Sequence, residues 1–228
     1  MKIAGMVKNS FVDYPGLVAC TLFTPRCNYD CFYCHNRPLI ENPPELLAEE
    51  DVFAFLRKRR GLLDAVVVTG GEPTLQKDLA DFLGRVKAIG YRLKLDTNGS
   101  DPEAVRSLLS AGLCDYYAVD YKAPFRRYPE ICGRGADAGK TLETIDILMA
   151  SGADFEVRTT VIPQLDLQDL LTMAGELPRL PRFVLNRYRK PESYRPQEEA
   201  RVSATPYTQA EIAKMAEAVR AVQPNVVA

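Results

Sequence analysis

At 228 residues with 46% hydrophobic side chains, the chain has the length of one domain and enough apolar surface for a substantial core, which excludes disorder. Charged residues make up 26%, with 29 Lys and Arg against 30 Asp and Glu, so the net charge of -1 excludes a global pull toward nucleic acid or anionic lipid. No apolar run approaches the ~20 residues that cross a bilayer, and Lys8 interrupts any signal-peptide core, so the expected setting is the cytoplasm, with no membrane and no nucleic acid partner.

Short β-rich runs alternate with helical patterns, without linker or repeat, which predicts one domain over 1–228. A strand pair over 2–7 and 17–23 is joined through the turn residues Asp13-Tyr14-Pro15-Gly16. A long loop with clustered Cys follows. Acids at Glu49, Glu50 and Asp51, apolar Val52, Phe53, Phe55 and Leu56, then basic residues at 57–60 before Gly61 predict a helix with both ends charged to suit its dipole.

The run Ala65-Val66-Val67-Val68 fits a parallel strand covered on both faces, and it ends in Thr69-Gly70-Gly71-Glu72-Pro73. Leu75, Leu79, Phe82, Leu83, Val86 and Ile89 recur at helical spacing up to Gly90. A strand over 92–95 leads into Asp96-Thr97-Asn98-Gly99, Pro102 opens a helix carrying Val105, Leu108 and Leu109, and 116–121 reads as another strand. Strands near 155–161 and 183–188 separate helices near 140–151, 167–177 and 209–222, the last announced by the Thr208-x-x-Glu211 capping box.

About six strands thus precede helices, and right-handed crossovers make such a series a parallel sheet. Six units fall short of the eight of a closed barrel. The expected fold is α/β: a partial (β/α)6 TIM-like barrel with an N-terminal strand pair, its core over about 12–190 and a C-terminal helix over 208–222. Reactive groups collect where strands end and helices begin, and the unusual sequences lie there.

Cys27-Asn28-Tyr29-Asp30-Cys31-Phe32-Tyr33-Cys34 places three thiols close enough for one loop to wrap one metal centre. Structural zinc wants four ligands. His35, the one His, adjoins Cys34, and adjacent side chains diverge in extended backbone; Cys20 lies within a strand, and Cys114 and Cys132 form no second close pair. The spacing favours an iron–sulfur centre, with zinc or a redox thiol group as the alternatives. A cubane held by three Cys leaves one iron open to an exogenous ligand.

Cys27-x-x-x-Cys31-x-x-Cys34, with Tyr33 before the last Cys, resembles the signature of the radical S-adenosylmethionine (SAM) superfamily. Gly70-Gly71-Glu72-Pro73 resembles that superfamily's site for the SAM amino group. The resemblance covers about 12–190 and implies a [4Fe-4S] cluster on Cys27, Cys31 and Cys34 that reductively cleaves SAM to methionine and a 5′-deoxyadenosyl radical. It also implies SAM contacts from Asn36, Gly70, Gly71, Glu72, Asp96, Thr97, Asp120, Lys122 and Arg158. Glycines at 70 and 71 permit close backbone approach, although an ordinary strand-to-helix turn uses them too. Asp96 and Asp120 facing a ligand carboxylate would repel it, so either Lys122 and Arg158 neutralise the site or a monovalent cation enters. The plainer readings are a helix cap for Asp96 and a surface ion pair for Arg158.

Cys34-His35-Asn36, Asp13-Tyr14-Pro15-Gly16, Asp96-Thr97-Asn98-Gly99 and Asp120-Tyr121-Lys122 together resemble activating enzymes that install a glycyl radical in a partner enzyme. Those of anaerobic ribonucleoside-triphosphate reductase are the nearest group. Pyruvate formate-lyase activating enzymes commonly carry Asp-Gly-Pro-Gly where this chain has Tyr14, and a His where it offers Asn186, Arg187 and Tyr188. The implied partners are a glycyl-radical enzyme and a flavodoxin- or ferredoxin-type electron donor. The alternatives are a radical SAM enzyme acting on a small molecule, similar to 7-carboxy-7-deazaguanine synthase, an activase of a pyruvate formate-lyase-like enzyme, and a non-enzymatic zinc or iron–sulfur module. Cys20, Cys114 and Cys132 read as buried small hydrophobes. The basic residues Arg179, Arg182, Arg187, Arg189, Lys190 and Arg195 suit either an acidic partner surface or a solvated face.

Overall fold

In a computed structural model that describes residues 1–41 and 44–228, β1 (Gly5–Ser10) and β2 (Ala19–Thr24) pair antiparallel, Gly5 opposite Phe23 and Val7 opposite Thr21. The pair begins later than the apolar pattern suggests, because Ile3 leaves the ladder to bridge Leu47, and its register shifts between Val7 and Ser10. The loop after β2 is broken by a short helix, α1 (Arg37–Glu41), too brief to show a period; Asn42 and Pro43 of that loop lie outside the described residues.

Helix α2 (Glu49–Arg59) has the expected charged ends, Glu49, Glu50 and Asp51 at its start and Arg57, Lys58 and Arg59 at its finish. Strand β3 (Ala65–Gly70) runs parallel to β2, Ala19 opposite Ala65 and Thr24 opposite Gly70. Its first four residues are wholly buried, which is what a strand covered on both faces requires of Ala65-Val66-Val67-Val68. Helix α3 (Leu79–Ile89) buries Leu79, Phe82, Leu83 and Val86. Leu75 does not share that face: it ends a separate 3-10 turn, Pro73–Leu75, and is 44% exposed. The Glu72 side chain caps that turn at the Thr74 N–H, so a local hydrogen bond overrides the continued helical spacing.

Strand β4 (Arg92–Thr97) lies parallel to β3, then come α4 (Pro102–Ser110) and β5 (Tyr116–Asp120). The chain continues through α5 (Tyr128–Cys132), α6 (Ala138–Ser151), β6 (Phe155–Val161), α7 (Leu167–Glu176), β7 (Phe183–Arg187), α8 (Glu199–Val202), α9 (Gln209–Val219) and β8 (Val226–Val227). Strands β6, β7 and β8 are parallel, Val157 opposite Phe183 and Phe183 opposite Val226. The Thr208/Glu211 capping box stands at the start of α9, and Asp166/Asp169 form a second one on α7.

Strand order follows chain order from β1 to β8, and β2 to β7 are the six strands of the α/β series. Packing divides the chain into a first unit of Met1–Asn28, Asn36–Thr97 and Glu103–Ala118, and a second of Tyr29–His35, Asn98–Pro102 and Val119–Ala228. Among the described residues no helix is long and apolar enough to cross a membrane.

Candidate functional site

In the first unit the chain leaves β2 at Thr24 and reaches Cys27 through Arg26, which holds a left-handed φ of 68°. That path is fixed from the end of β3: Gly71 N–H donates to the Thr24 carbonyl and Glu72 N–H to the Arg26 carbonyl, each at 2.8 Å. A Cβ on Gly71 would stand 1.7 Å from the Arg26 oxygen, and one on Gly70, at φ 117°, 2.4 Å from the Thr24 nitrogen. The close approach that these glycines permit is therefore made by the chain's own backbone, on the segment that presents Cys27. Asn36 donates its side-chain amide to the Gly70 carbonyl at 2.7 Å, clasping the far end of the cysteine loop to the same strand end.

Glu72 is fully buried, and one carboxylate oxygen accepts from the Thr74 amide at 3.1 Å and from the Thr74 and Thr97 hydroxyls, each at 2.7 Å. Thr97 is thus spent on orienting Glu72. Asp96 is paired with Lys94 at 2.8 Å, and the same ammonium donates to the Asp13 carbonyl at 2.7 Å. Lys94, only 1% exposed, is a residue that sequence reasoning missed. The signal was present, since Lys94 precedes Asp96 by two on one strand face, as Asp120 precedes Lys122.

In the second unit, Cys34 N–H donates to the Cys31 carbonyl at 3.1 Å, closing a turn between the two cysteines. Cys31 is buried, Cys34 is half-buried and His35 is exposed. The Cys31 thiol pKa is raised, first by a hydrogen bond with Cys132 and then by burial, against the opposing charge of Lys122. Tyr33 and Tyr188 meet edge to face at 6.4 Å, Tyr128 packs on Tyr29 at 6.3 Å and on Tyr121 at 5.5 Å, and all five rings are buried.

Asp120 receives Lys122 Nζ on one oxygen and Arg158 Nε on the other, each at 3.0 Å. Burial alone would raise its pKa; Lys122 and then Arg158 more than reverse this and hold it well below the usual carboxylate range. Each Asp therefore has its own basic partner, Lys94 for Asp96 and the Lys122–Arg158 pair for Asp120.

Because the folded pKa of Asp120 is depressed, its contribution to stability is complete above the unfolded value of about 3.9 and fades as pH falls below it. Asp120→Asn is expected to lower stability at neutral pH by about 1–3 kcal/mol, discounted because the pair is part-exposed. In urea titrations the variant should converge on wild type as pH drops from 5 toward 2. A gap that stays constant over that range would contradict the ion-pair account.

Much of the basic stretch near β7 is used within the chain: Arg182 pairs with Glu156 at 3.1 Å, Lys190 with Glu199 at 3.2 Å and Arg195 with Asp30 at 2.6 Å, and Arg187 donates to the Tyr207 carbonyl. Of the remaining cysteines, Cys20 and Cys132 are buried and Cys114 is half-buried.

The donor chemistry suits an iron–sulfur cluster with SAM, although among the described residues no three His, Cys, Asp or Glu side chains are gathered as they would be around a metal ion. Three thiols share one loop, two of them on a single turn, and a buried carboxylate, Glu72, lies at a strand end of the unit that carries Cys27.

Residues 21–177 match the family described as the Radical SAM superfamily. A protein of Methanocaldococcus jannaschii, provisionally named a glycyl-radical enzyme activating enzyme, is 32% identical over 201 residues, 84% of this chain and 82% of its own. A probable GTP 3′,8-cyclase of Saccharolobus islandicus is 36% identical over 75 residues, 32% of this chain and 24% of its own. Among solved structures, Streptococcus suis SuiB bound to S-adenosylmethionine shares the fold with a TM-score of 0.66 at 15% identity. That match covers 87% of this chain and 48% of SuiB, so the chain spans about half of SuiB's length.

Proposed function

The chain belongs to the radical SAM superfamily, whose cofactors are a [4Fe-4S] cluster and SAM, and from that membership we propose that it is an activase that installs a glycyl radical on a partner enzyme, anaerobic ribonucleoside-triphosphate reductase. The observation that carries the activase branch is the similarity to the Methanocaldococcus jannaschii protein over most of both chains. When bound, the cluster supplies the electron that cleaves SAM.

In this reading Cys27, Cys31 and Cys34 hold the cluster. Glu72, oriented by three donors, accepts from the SAM amino group, with Gly70 and Gly71 setting its backbone and Asn36 fixing Gly70. Thr97 positions Glu72, and Asp96, steadied by Lys94, takes ribose hydroxyls. Asp120, Lys122 and Arg158 form a net cationic group that suits the SAM carboxylate. The tyrosine-lined end of the second unit excludes water, which a reactive carbon radical requires. A flavodoxin- or ferredoxin-type protein supplies electrons, and the cytoplasm is the setting.

The test is anaerobic. Protein reconstituted with iron and sulfide is mixed with reductant, SAM and an anaerobic ribonucleotide reductase carrying its glycyl-radical site. The expected result is 5′-deoxyadenosine together with a glycine-centred paramagnetic resonance doublet on the reductase. Deoxyadenosine without that doublet, stimulated by a small metabolite instead, would overturn the activase reading.

A further inference from the structure

Cys132, the last residue of α5, is fully buried, as a small hydrophobe would be. It is also the hydrogen-bonding neighbour of the Cys31 thiol. The contact is anchored by backbone: Asp30 N–H donates to the Cys132 carbonyl at 2.8 Å. Gly133 follows at φ 91°, and a Cβ there would stand 2.9 Å from the Asp30 Cβ, so any other residue would push the cysteine loop away from α5. On the outer side Arg195 pairs with Asp30. None of these contacts uses Cys27 or Cys34.

We infer that Cys132 is a positioning residue for the metal loop: its S–H donates to the Cys31 sulfur and raises the reduction potential of the cluster that the loop holds. The inference rests on the radical SAM reading. A ligating Cys31 is a thiolate and accepts only, so the remaining proton between the two sulfurs belongs to Cys132. Hydrogen bonds to ligand sulfur stabilise the more negative, reduced cluster and so ease its reduction.

The test is a redox titration of reconstituted protein, followed by the paramagnetic signal of the reduced cluster. Cys132→Ala should load iron and sulfide as wild type does, but its ratio of reduced to oxidised cluster at a fixed potential should fall about threefold to tenfold, tenfold being about 59 mV for one electron. Cys132→Ser keeps a donor and should recover most of that loss. Alanine and serine variants with wild-type potentials would overturn the inference, because a purely structural Cys132 moves stability and not potential.

A second measurement needs no variant and no cluster. Diamide treatment of the apoprotein takes one hydrogen from each of two thiols, is itself reduced to the hydrazine, and leaves a disulfide. Peptide mapping should find Cys31 joined to Cys132. Cross-links confined to Cys27, Cys31 and Cys34 would show that the contact is absent. Wild-type protein that forms the 31–132 link yet takes up no [4Fe-4S] cluster would remove the radical SAM reading, and the potential effect with it.

Discussion

Cys31→Ala is expected to abolish cluster uptake and SAM cleavage while leaving the fold in place. Cys31 sits at the start of the turn closed by the Cys34 amide, and that bond uses its carbonyl, which alanine retains. The lost side chain is small and buried, and such truncations cost about 1 kcal/mol, a minor part of a domain's stability. A cubane left with two thiolates loses one of the three ligands that its loop supplies, and the exposed His35 beside Cys34 is not placed to replace it. The variant should show a wild-type circular dichroism spectrum, a urea midpoint lowered by only some tenths of a molar, iron content near background after reconstitution, and no 5′-deoxyadenosine. Retained cleavage would contradict the ligand assignment.

Gly71→Ala should act in the opposite way, through the backbone. Its new methyl would meet the Arg26 oxygen at 1.7 Å, and that oxygen already accepts from the Glu72 amide. The methyl has no flexible side chain to displace, so the Thr24-to-Cys27 segment must move and the hydrogen bonds at Gly71 and Glu72 must loosen. Overpacking of this kind costs about 3 kcal/mol. For a chain of this length that lowers the melting temperature by roughly 6–12 °C, read by calorimetry. Cluster occupancy should fall as well, because the displaced segment leads directly to Cys27. An alanine variant that melts with wild type would show that the packing of β3 against this segment is looser than described.

The alternating sheet-and-helix order was legible because buried parallel strands and amphipathic helices each leave a period, as Ala65-Val66-Val67-Val68 and the Leu79–Ile89 face show. Elements of two to five residues, β8, α1, α5 and α8, are too short to leave one. Leu75 misled because spacing is blind to the Glu72 cap that ends the turn before it. The candidate site divides similarly. Cysteine spacing and the Asp120–Lys122 alternation are local and could be read directly. The Cys31–Cys132 contact and the collision that Gly71 avoids are made across about a hundred and about forty-five residues, and only tertiary packing creates them.

The most direct test of the whole account is the paramagnetic resonance of reconstituted, reduced wild-type protein before and after SAM is added. A [4Fe-4S] signal whose line shape changes on addition, with one iron distinct in the matching Mössbauer spectrum, is the predicted result. A SAM-insensitive cluster with four equivalent protein ligands, or a zinc ion in the loop, would contradict it.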